Sequence, residues 1–153
     1  SATAVSQVFL NTNMAAAGGV VATLFMSLFL TGKMDVTMAI NGAIAGLVSI
    51  TADPLSPSGG TAVLVGAIGG ALVYVSILFL EKKGIDDPVG AISAHGVVGI
   101  YGVLVVSLTG GADFLGQLTG VAMIAAFTYI ASLGVIYAAI GIFEPGIELT
   151  EPS

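Results

Sequence analysis

A single histidine, His95, lies in the run DDPVGAISAHGVVGIYG at residues 86–102, among glycine, alanine and valine. An imidazole donates and accepts hydrogen bonds and exchanges protons, so this side chain is the strongest candidate for chemistry in the sequence. Its neighbours at four-residue steps along a helix are Ala91 and Gly99, with Gly102 one further turn along. We therefore predict that the histidine side of this helix is bare and faces another helix or a lumen.

The sequence offers this histidine few chemical partners. There is no cysteine and no second histidine, and all nine acidic residues lie outside the long uncharged runs of the chain. A metal site, a catalytic triad or a carboxylate pair would therefore lack its remaining members within the apolar segments. We expect no metal, no cofactor and no enzymatic activity. Two interpretations stay open: a neutral histidine that bonds across a helix interface, and a role in permeation or proton handling.

The distribution of charge points to a membrane protein. Hydrophobic residues make up 56% of the 153 residues and charged residues only 8%, whereas soluble domains carry about 25% charged residues. The long uncharged runs are 1–32, 36–52, 54–80, 88–112 and 114–143. Since crossing a bilayer takes roughly 20 apolar residues, the sequence predicts an all-α polytopic membrane protein. The predicted transmembrane helices lie at about 4–32, 36–52, 60–81, 88–109 and 114–144, followed by a short tail at 145–153.

The three lysines predict the orientation of these helices. Lys33 lies between the first two helices, and Lys82 and Lys83 lie between the third and the fourth. Because cytoplasmic loops carry the excess of Lys and Arg, both connections are expected inside the cell. The N-terminus of the chain is then outside, and the tail is cytoplasmic, in a plasma or inner membrane. A net charge of −6 also argues against a nucleic-acid partner, since such binding depends on Lys and Arg contacts to phosphate.

Capping residues predict where two of the helices begin. Asp35 is expected to cap a helix that begins near Val36. Asp87 followed by Pro88 provides an N-cap directly before a proline at the first helical position, so the fourth helix is expected to start there. A start at Pro88 puts His95 about 12 Å along the helix from Asp87.

Glycine pairs at four-residue spacing predict close helix packing. Such small-xxx-small pairs let two helix backbones approach each other in a membrane. The pairs are Gly42 with Gly46, Gly66 with Gly70, and Gly116 with Gly120. Together they favour a compact bundle in which these glycines have structural roles.

Three segments resemble consecutive helices of the ammonium transporter family. They are MDVTMAINGAIAGLVSITA at 34–52, GIDDPVGAISAHGVVGIYG at 84–102 and FLGQLTGVAMIAAFTYIASLGVIYAAIGI at 114–142. The spacing between the segments also resembles the family, and the correspondence covers essentially the whole chain. The resemblance implies the last five of the eleven transmembrane helices of a family member, with the preceding helices of the same transporter as partners. It also implies ammonium or ammonia as substrate and a homotrimer as the assembly.

The resemblance implies roles for four residues. The family pore has two facing histidines, and His95 matches the second, while the first belongs to a helix that would precede residue 1. Ile44 and Ala91 match positions that line the hydrophobic pore, and Asn41 matches a polar position beside it. An apolar pore rejects a bare cation, whereas a neutral molecule loses only its hydrogen bonds on entering. The expected function is passage of ammonia through a hydrophobic, histidine-lined pore.

An ammonium sensor is the alternative to a transporter, and the C-terminal tail bears on regulation. Glu148 stands where the family usually has a basic residue, which puts the binding of a signal-transduction regulator in doubt. A signalling protein can use the same membrane fold as an ammonium sensor coupled to a further domain. That sensor is the alternative to a transporter.

Overall fold

The structure is a computed structural model that describes residues 1–143 of the chain, and those residues contain five α-helices and no strand. The α-helices are α1 (Ala2–Thr31), α2 (Val36–Ile50), α3 (Gly59–Lys82), α4 (Val98–Thr109) and α5 (Phe114–Phe143), and a π-helical segment (Ile92–Val97) leads directly into α4. The all-α prediction is confirmed. The predicted tail at 145–153, which contains Glu148, lies outside the described residues.

Four helical stretches are long and apolar enough to cross a membrane. They are Ala2–Thr31, Gly59–Lys82, Ile92–Thr109 and Phe114–Ile142. The remaining helix, α2, is apolar but has 15 residues, fewer than the roughly 20 that a perpendicular span takes. It ends at Ile50, two residues before the end predicted from the uncharged run, because Thr51 already closes the last turn onto Val48.

The chain divides into two compact units. Residues 1–117 form the first unit, which contains α1 to α4 and the first turn of α5. In that turn, the carboxylate of Asp113 accepts a hydrogen bond from the backbone N–H of Gly116 at 2.6 Å, and so caps α5. The second unit begins at Leu118, and its described part is the rest of α5 up to Phe143.

Side-chain caps fix the beginnings of α2 and α3. The carboxylate of Asp35 accepts a hydrogen bond from the backbone N–H of Met38 at 3.1 Å, as the sequence predicts. The hydroxyl of Ser58 does the same for Thr61 at 3.3 Å. At the end of α1, Gly32 adopts a left-handed conformation with φ of 73° and closes the helix onto Leu28. These local signals turn the chain sharply between α1 and α2.

The fourth helix begins later than the sequence predicts. Pro88 lies in a four-residue turn in which the N–H of Gly90 bonds to the carbonyl of Asp87 at 3.0 Å, and Gly90 has φ of 67°. A positive φ at Gly90 stops the turn from continuing as a helix. The helix begins only after this turn, with the π-helical segment at Ile92, so the predicted start at Pro88 is wrong. His95 is consequently the fourth residue of that segment, and the 12 Å estimate, which assumed a helix from Asp87, does not hold.

The glycine pairs of α2 and α3 both pack against α1. In each pair, a Cβ added to the glycine would collide with the α1 backbone, which leaves room only for hydrogen. The contacts are Gly46 and Gly66 against the carbonyl of Ala15, and Gly42 and Gly70 against the carbonyl of Gly19. One four-residue repeat of α1 therefore brings three helix backbones together, as the small-residue spacing predicts for these two pairs. The third pair shows no such packing among the described residues, since an added Cβ would meet only Asp113 at Gly116 and no atom within 4 Å at Gly120.

Asn11 ties the connection between α2 and α3 to α1. Its side chain is fully buried, and its amide nitrogen donates to the carbonyl oxygens of Pro54 at 2.9 Å and Pro57 at 2.7 Å. Gln7 completes the set by donating to the amide oxygen of Asn11 at 3.3 Å. A loop containing two prolines has few backbone donors of its own, so this one side chain satisfies two of its carbonyl groups.

Replacing Asn11 by alanine is expected to lower the free energy of unfolding by about 1–3 kcal/mol, because two buried carbonyl groups lose their donor. Asn13→Ala is the matched control, since Asn13 is exposed and bonds only to Phe9 within its own helix. Thermal unfolding of the purified complete protein measures both variants. Equal melting temperatures for the two variants would contradict the role of Asn11.

Candidate functional site

His95 and Ala91 lie on an exposed face of the first unit. His95 is in the π-helical segment and Ala91 directly precedes that segment, and both are solvent-accessible in the structure. Gly99 is half-buried, and Gly102 is buried where an added Cβ would lie 2.9 Å from the carbonyl oxygen of Val48 on α2. The four-residue pattern predicts that all four residues share one face, but the wider π-helical turn separates Gly102 from His95. Gly102 therefore packs against α2, while the imidazole is left free.

Asn41 and Ile44 lie on α2 beside the start of the fourth helix. Asn41 is 7% exposed, and a Cβ added at Gly90 would lie 2.8 Å from its amide oxygen. Ile44 is half-buried and packs against a core cluster that contains Ala94, the residue before His95. Asn41 and Ile44 on α2 thus lie next to Gly90 and Ala94, which directly precede Ala91 and His95 in the chain.

Asp87 organises the first turn that carries His95. Its carboxylate accepts hydrogen bonds from the backbone N–H groups of Ile92 at 3.0 Å and Ser93 at 3.1 Å, and from the Ser93 hydroxyl at 3.1 Å. Desolvation raises the pKa of Asp87, but these hydrogen bonds outweigh it and hold the pKa below its ordinary value. The carboxylate is therefore ionised at neutral pH and continues to cap the helix.

Ser93 extends this network to α3. Its hydroxyl, which is fully buried, accepts a hydrogen bond from the hydroxyl of Ser76 at 3.0 Å while donating to Asp87. The position of the turn that carries His95 is thus tied both to the preceding loop and to a neighbouring helix. Sequence reasoning missed Ser76 and Ser93, because nothing in their spacing indicates that they meet.

An open cavity of about 350 Å³ lies at the end of the helices where the two lysine-containing connections are found. We call it the acidic vestibule, because its lining contains the carboxylates of Asp35, Glu81, Asp86 and Asp87 and no basic side chain. Asn41 and Gly90 also line it. The sequence signal was available in the acidic residues of EKKGIDD and TGKMD, but only the fold shows that they face one space.

The described helices and their apolar lengths define a multi-pass helical membrane protein whose exposed apolar face carries one histidine. Residues 1–144 match the model of the Ammonium Transporter Family. The chain belongs to this family, whose members are transport proteins and not enzymes.

Individual relatives agree with this assignment. The chain is 41% identical over 104 residues to Ammonium transporter Amt2 of Archaeoglobus fulgidus, an overlap of 68% of this chain and 22% of that protein. The solved structure of a Sensor Amt Protein superposes with a TM-score of 0.77 at 34% identity, covering 90% of this chain and 37% of its own. Candida albicans Mep2 gives a TM-score of 0.82 at 27% identity, covering 95% and 36%. The chain thus spans between about a fifth and two fifths of the length of these proteins.

Proposed function

We propose that the complete protein conducts ammonia across the plasma or inner membrane, and that this chain supplies one wall of a hydrophobic pore. His95, Ala91 and Ile44 line that wall, with Asn41 at one end. A facing wall, with the first histidine of the family pair, comes from helices that precede the matching region in its relatives. The proposed assembly is a homotrimer, as the family resemblance implies. Binding of a regulatory protein to the tail is doubtful, as the sequence indicates.

The observation that carries the proposal is the state of the imidazole. The His95 side chain is exposed on an apolar face, and its imidazole makes no hydrogen bond to any other residue in the described part of the chain. A histidine that tied these helices together would be buried and bonded. None of the described residues uses the hydrogen-bonding capacity of this ionisable side chain, which supports a role for it toward a substrate on the side that the facing wall covers.

Physical chemistry accounts for selectivity in such a pore. A neutral ammonia molecule loses only its hydrogen bonds to water when it enters an apolar lumen, whereas a bare ammonium ion also loses its charge solvation. A neutral imidazole offers one donor and one acceptor, which replace part of the lost hydrogen bonding. Ile44 and Ala91 offer none, so they exclude hydrated ions without binding the substrate.

Uptake of labelled methylammonium tests the transport function directly. Cells that lack their own ammonium uptake are expected to accumulate the label, and to grow on low ammonium, when they produce the complete protein. Cells carrying the empty vector provide the baseline. Uptake no greater than that baseline, with the protein correctly inserted, would contradict a transport function.

The sensor alternative has one observation in its favour, the similarity to the Sensor Amt Protein. A sensor would show ammonium-dependent activity of a signalling domain and no methylammonium uptake. The same cells therefore separate the two functions, provided that both uptake and the activity of any further domain are measured.

The orientation is tested by cysteine labelling, for which the absence of native cysteine in this chain is an advantage. Ser56 and Ile85 are exposed in connections at opposite ends of the helices. If the lysine connections are cytoplasmic, Ser56→Cys reacts with an impermeant thiol reagent in intact cells, and Ile85→Cys reacts only after permeabilisation. The opposite labelling pattern would reverse the proposed orientation.

A further inference from the structure

We propose that Ser76 on α3 is a positioning residue for His95, and that its hydrogen bond to Ser93 sets the direction in which the imidazole points. The inference deepens the proposed function and rests on it, because the direction of the imidazole matters for transport only if His95 lines the pore. Ser76 belongs to a different helix and acts on His95 only through the π-helical segment.

The observation that carries the inference is a bond between two hydroxyl groups on neighbouring helices. The Ser76 hydroxyl donates to the Ser93 hydroxyl at 3.0 Å, and the Ser93 hydroxyl donates in turn to the carboxylate of Asp87 at 3.1 Å. Ser93 is fully buried, so water does not compete for its hydroxyl. Asp87 belongs to the turn that leads into the π-helical segment and moves with it. Among the described residues, the bond to Ser76 is therefore what ties the Ser93 side chain to another helix.

Ser93 and His95 project from opposite sides of the π-helical segment. They are two residues apart, which is about half a helical turn. Their burial agrees with this geometry, since Ser93 is fully buried and His95 is exposed. A rotation of the segment about its own axis that moved Ser93 away from Ser76 would turn the imidazole through the same angle. The bond on the buried side thus controls the direction of the side chain on the exposed side.

The other contacts of the segment constrain this rotation only weakly. Ala94 packs into an apolar cluster together with Val98, but apolar contacts have no preferred direction. On the exposed side, a Cβ added at Gly96 would meet only the side chain of Ile92, at 3.9 Å, so no other described helix packs closely there. Hydrogen bonds depend on angle as well as distance. Those of Ser93 are therefore the contacts that define the rotational position.

The π-helical conformation increases the need for such an anchor. The backbone N–H of Val98 bonds to the carbonyl of Ser93, five residues earlier, so the turn that contains His95 is wider than an α-helical turn. π-helical turns are rare, and the α-helical turn is the common alternative. Tightening to an α-helical turn would rotate the residues before Val98 about the helix axis. The bond from Ser76 opposes that change because it holds Ser93 against α3.

NMR of the complete protein labelled at its histidine nitrogens reports on the imidazole directly, and the His95 signal is the one missing from His95→Gln. We expect Ser76→Ala to shift this signal and to lower methylammonium uptake per assembled protein roughly two- to fivefold, the effect of losing one neutral hydrogen bond. Ser76→Thr keeps the hydroxyl and is expected to retain the wild-type signal and uptake. Tyr101→Phe is the matched control. The Tyr101 hydroxyl donates to the carbonyl of Val65 at 3.3 Å, so it also ties the fourth helix to α3, but beyond the π-helical segment.

The outcomes separate this proposal from the proposed function. An unmoved imidazole signal in Ser76→Ala overturns the positioning role, even if the melting temperature falls. A Ser76→Thr protein as impaired as Ser76→Ala, or an equal shift in Tyr101→Phe, overturns it as well. A shifted signal in a protein whose wild type takes up no methylammonium supports the positioning role and rejects transport. If Ser76→Ala does not assemble, Ser76→Cys replaces it with the same criteria, because a thiol is a weak donor of similar size.

Discussion

Replacing His95 by alanine in the complete protein is expected to reduce ammonia flux about tenfold, or to alter selectivity between ammonia and methylammonium. The reason is that a substrate in an apolar lumen loses the hydrogen bond that the imidazole supplies. A hydrogen bond contributes about 0.5–1.5 kcal/mol net, and about 1.4 kcal/mol in a barrier corresponds to a factor of ten in rate. Flux per correctly assembled protein, measured in proteoliposomes, gives the comparison.

Stability distinguishes a pore residue from a residue that links two helices. The exposed imidazole of His95 makes no hydrogen bond within the described residues, so His95→Ala is expected to change the free energy of unfolding by no more than about 0.5 kcal/mol. Ser107→Ala is a control in the same helix, since the Ser107 hydroxyl bonds only to Leu104 one turn away. Unchanged flux and selectivity in His95→Ala, together with a large fall in melting temperature, would remove His95 from the transport mechanism.

Local signals in the sequence were sufficient for most of the helical framework. Asp35 caps α2 because a carboxylate before an apolar run satisfies a free N–H group whatever the rest of the fold does. The glycine pairs of α2 and α3 meet α1 because backbone contact is possible only where side chains are absent. Both kinds of signal depend on a few adjacent residues, and neither requires knowledge of the partner helix.

The start of the fourth helix could not be predicted in this way. Aspartate followed by proline is typical of a helix N-terminus, but also of a four-residue turn with glycine at its last position. The sequence Asp87-Pro88-Val89-Gly90 satisfies both patterns. The structure has the turn, and Ser93 then bonds to Ser76 of α3, 17 residues earlier in the chain. A contact over that separation depends on the packing of two helices, which local pattern does not reveal.

The candidate site also has one part that the sequence could predict and one that it could not. His95 was identifiable because an ionisable side chain in an apolar run is unusual whatever its surroundings. The acidic vestibule was not, because Asp35 and Asp86 are 51 residues apart and become neighbours of one cavity only when α2, α3 and the turn at Gly90 pack together. Asn41 precedes Ile44 by about one turn on α2 and also lines the acidic vestibule.

Gly66→Leu is expected to have the largest effect on stability of any substitution proposed for this chain. A Cβ at position 66 would collide with the main-chain carbonyl of Ala15, and a backbone group cannot rotate away as a side chain can. The leucine therefore forces α1 and α3 apart and also disturbs the contact of Ala15 with Gly46. We expect a loss of about 3 kcal/mol or more in the free energy of unfolding, or failure to assemble.

Gly60→Leu provides the matched control for this substitution. Gly60 lies in the same helix, and an added Cβ there meets no atom within 4 Å. Leucine favours helix over glycine by up to about 1 kcal/mol, so this variant is expected to be as stable as the wild type or slightly more stable. A Gly66→Ala variant should fall between the two, because one methyl group already meets the Ala15 carbonyl while the helix gains propensity. Melting temperatures in one detergent rank the three variants, and a Gly66→Leu protein as stable as Gly60→Leu would show that α1 and α3 do not need this close approach.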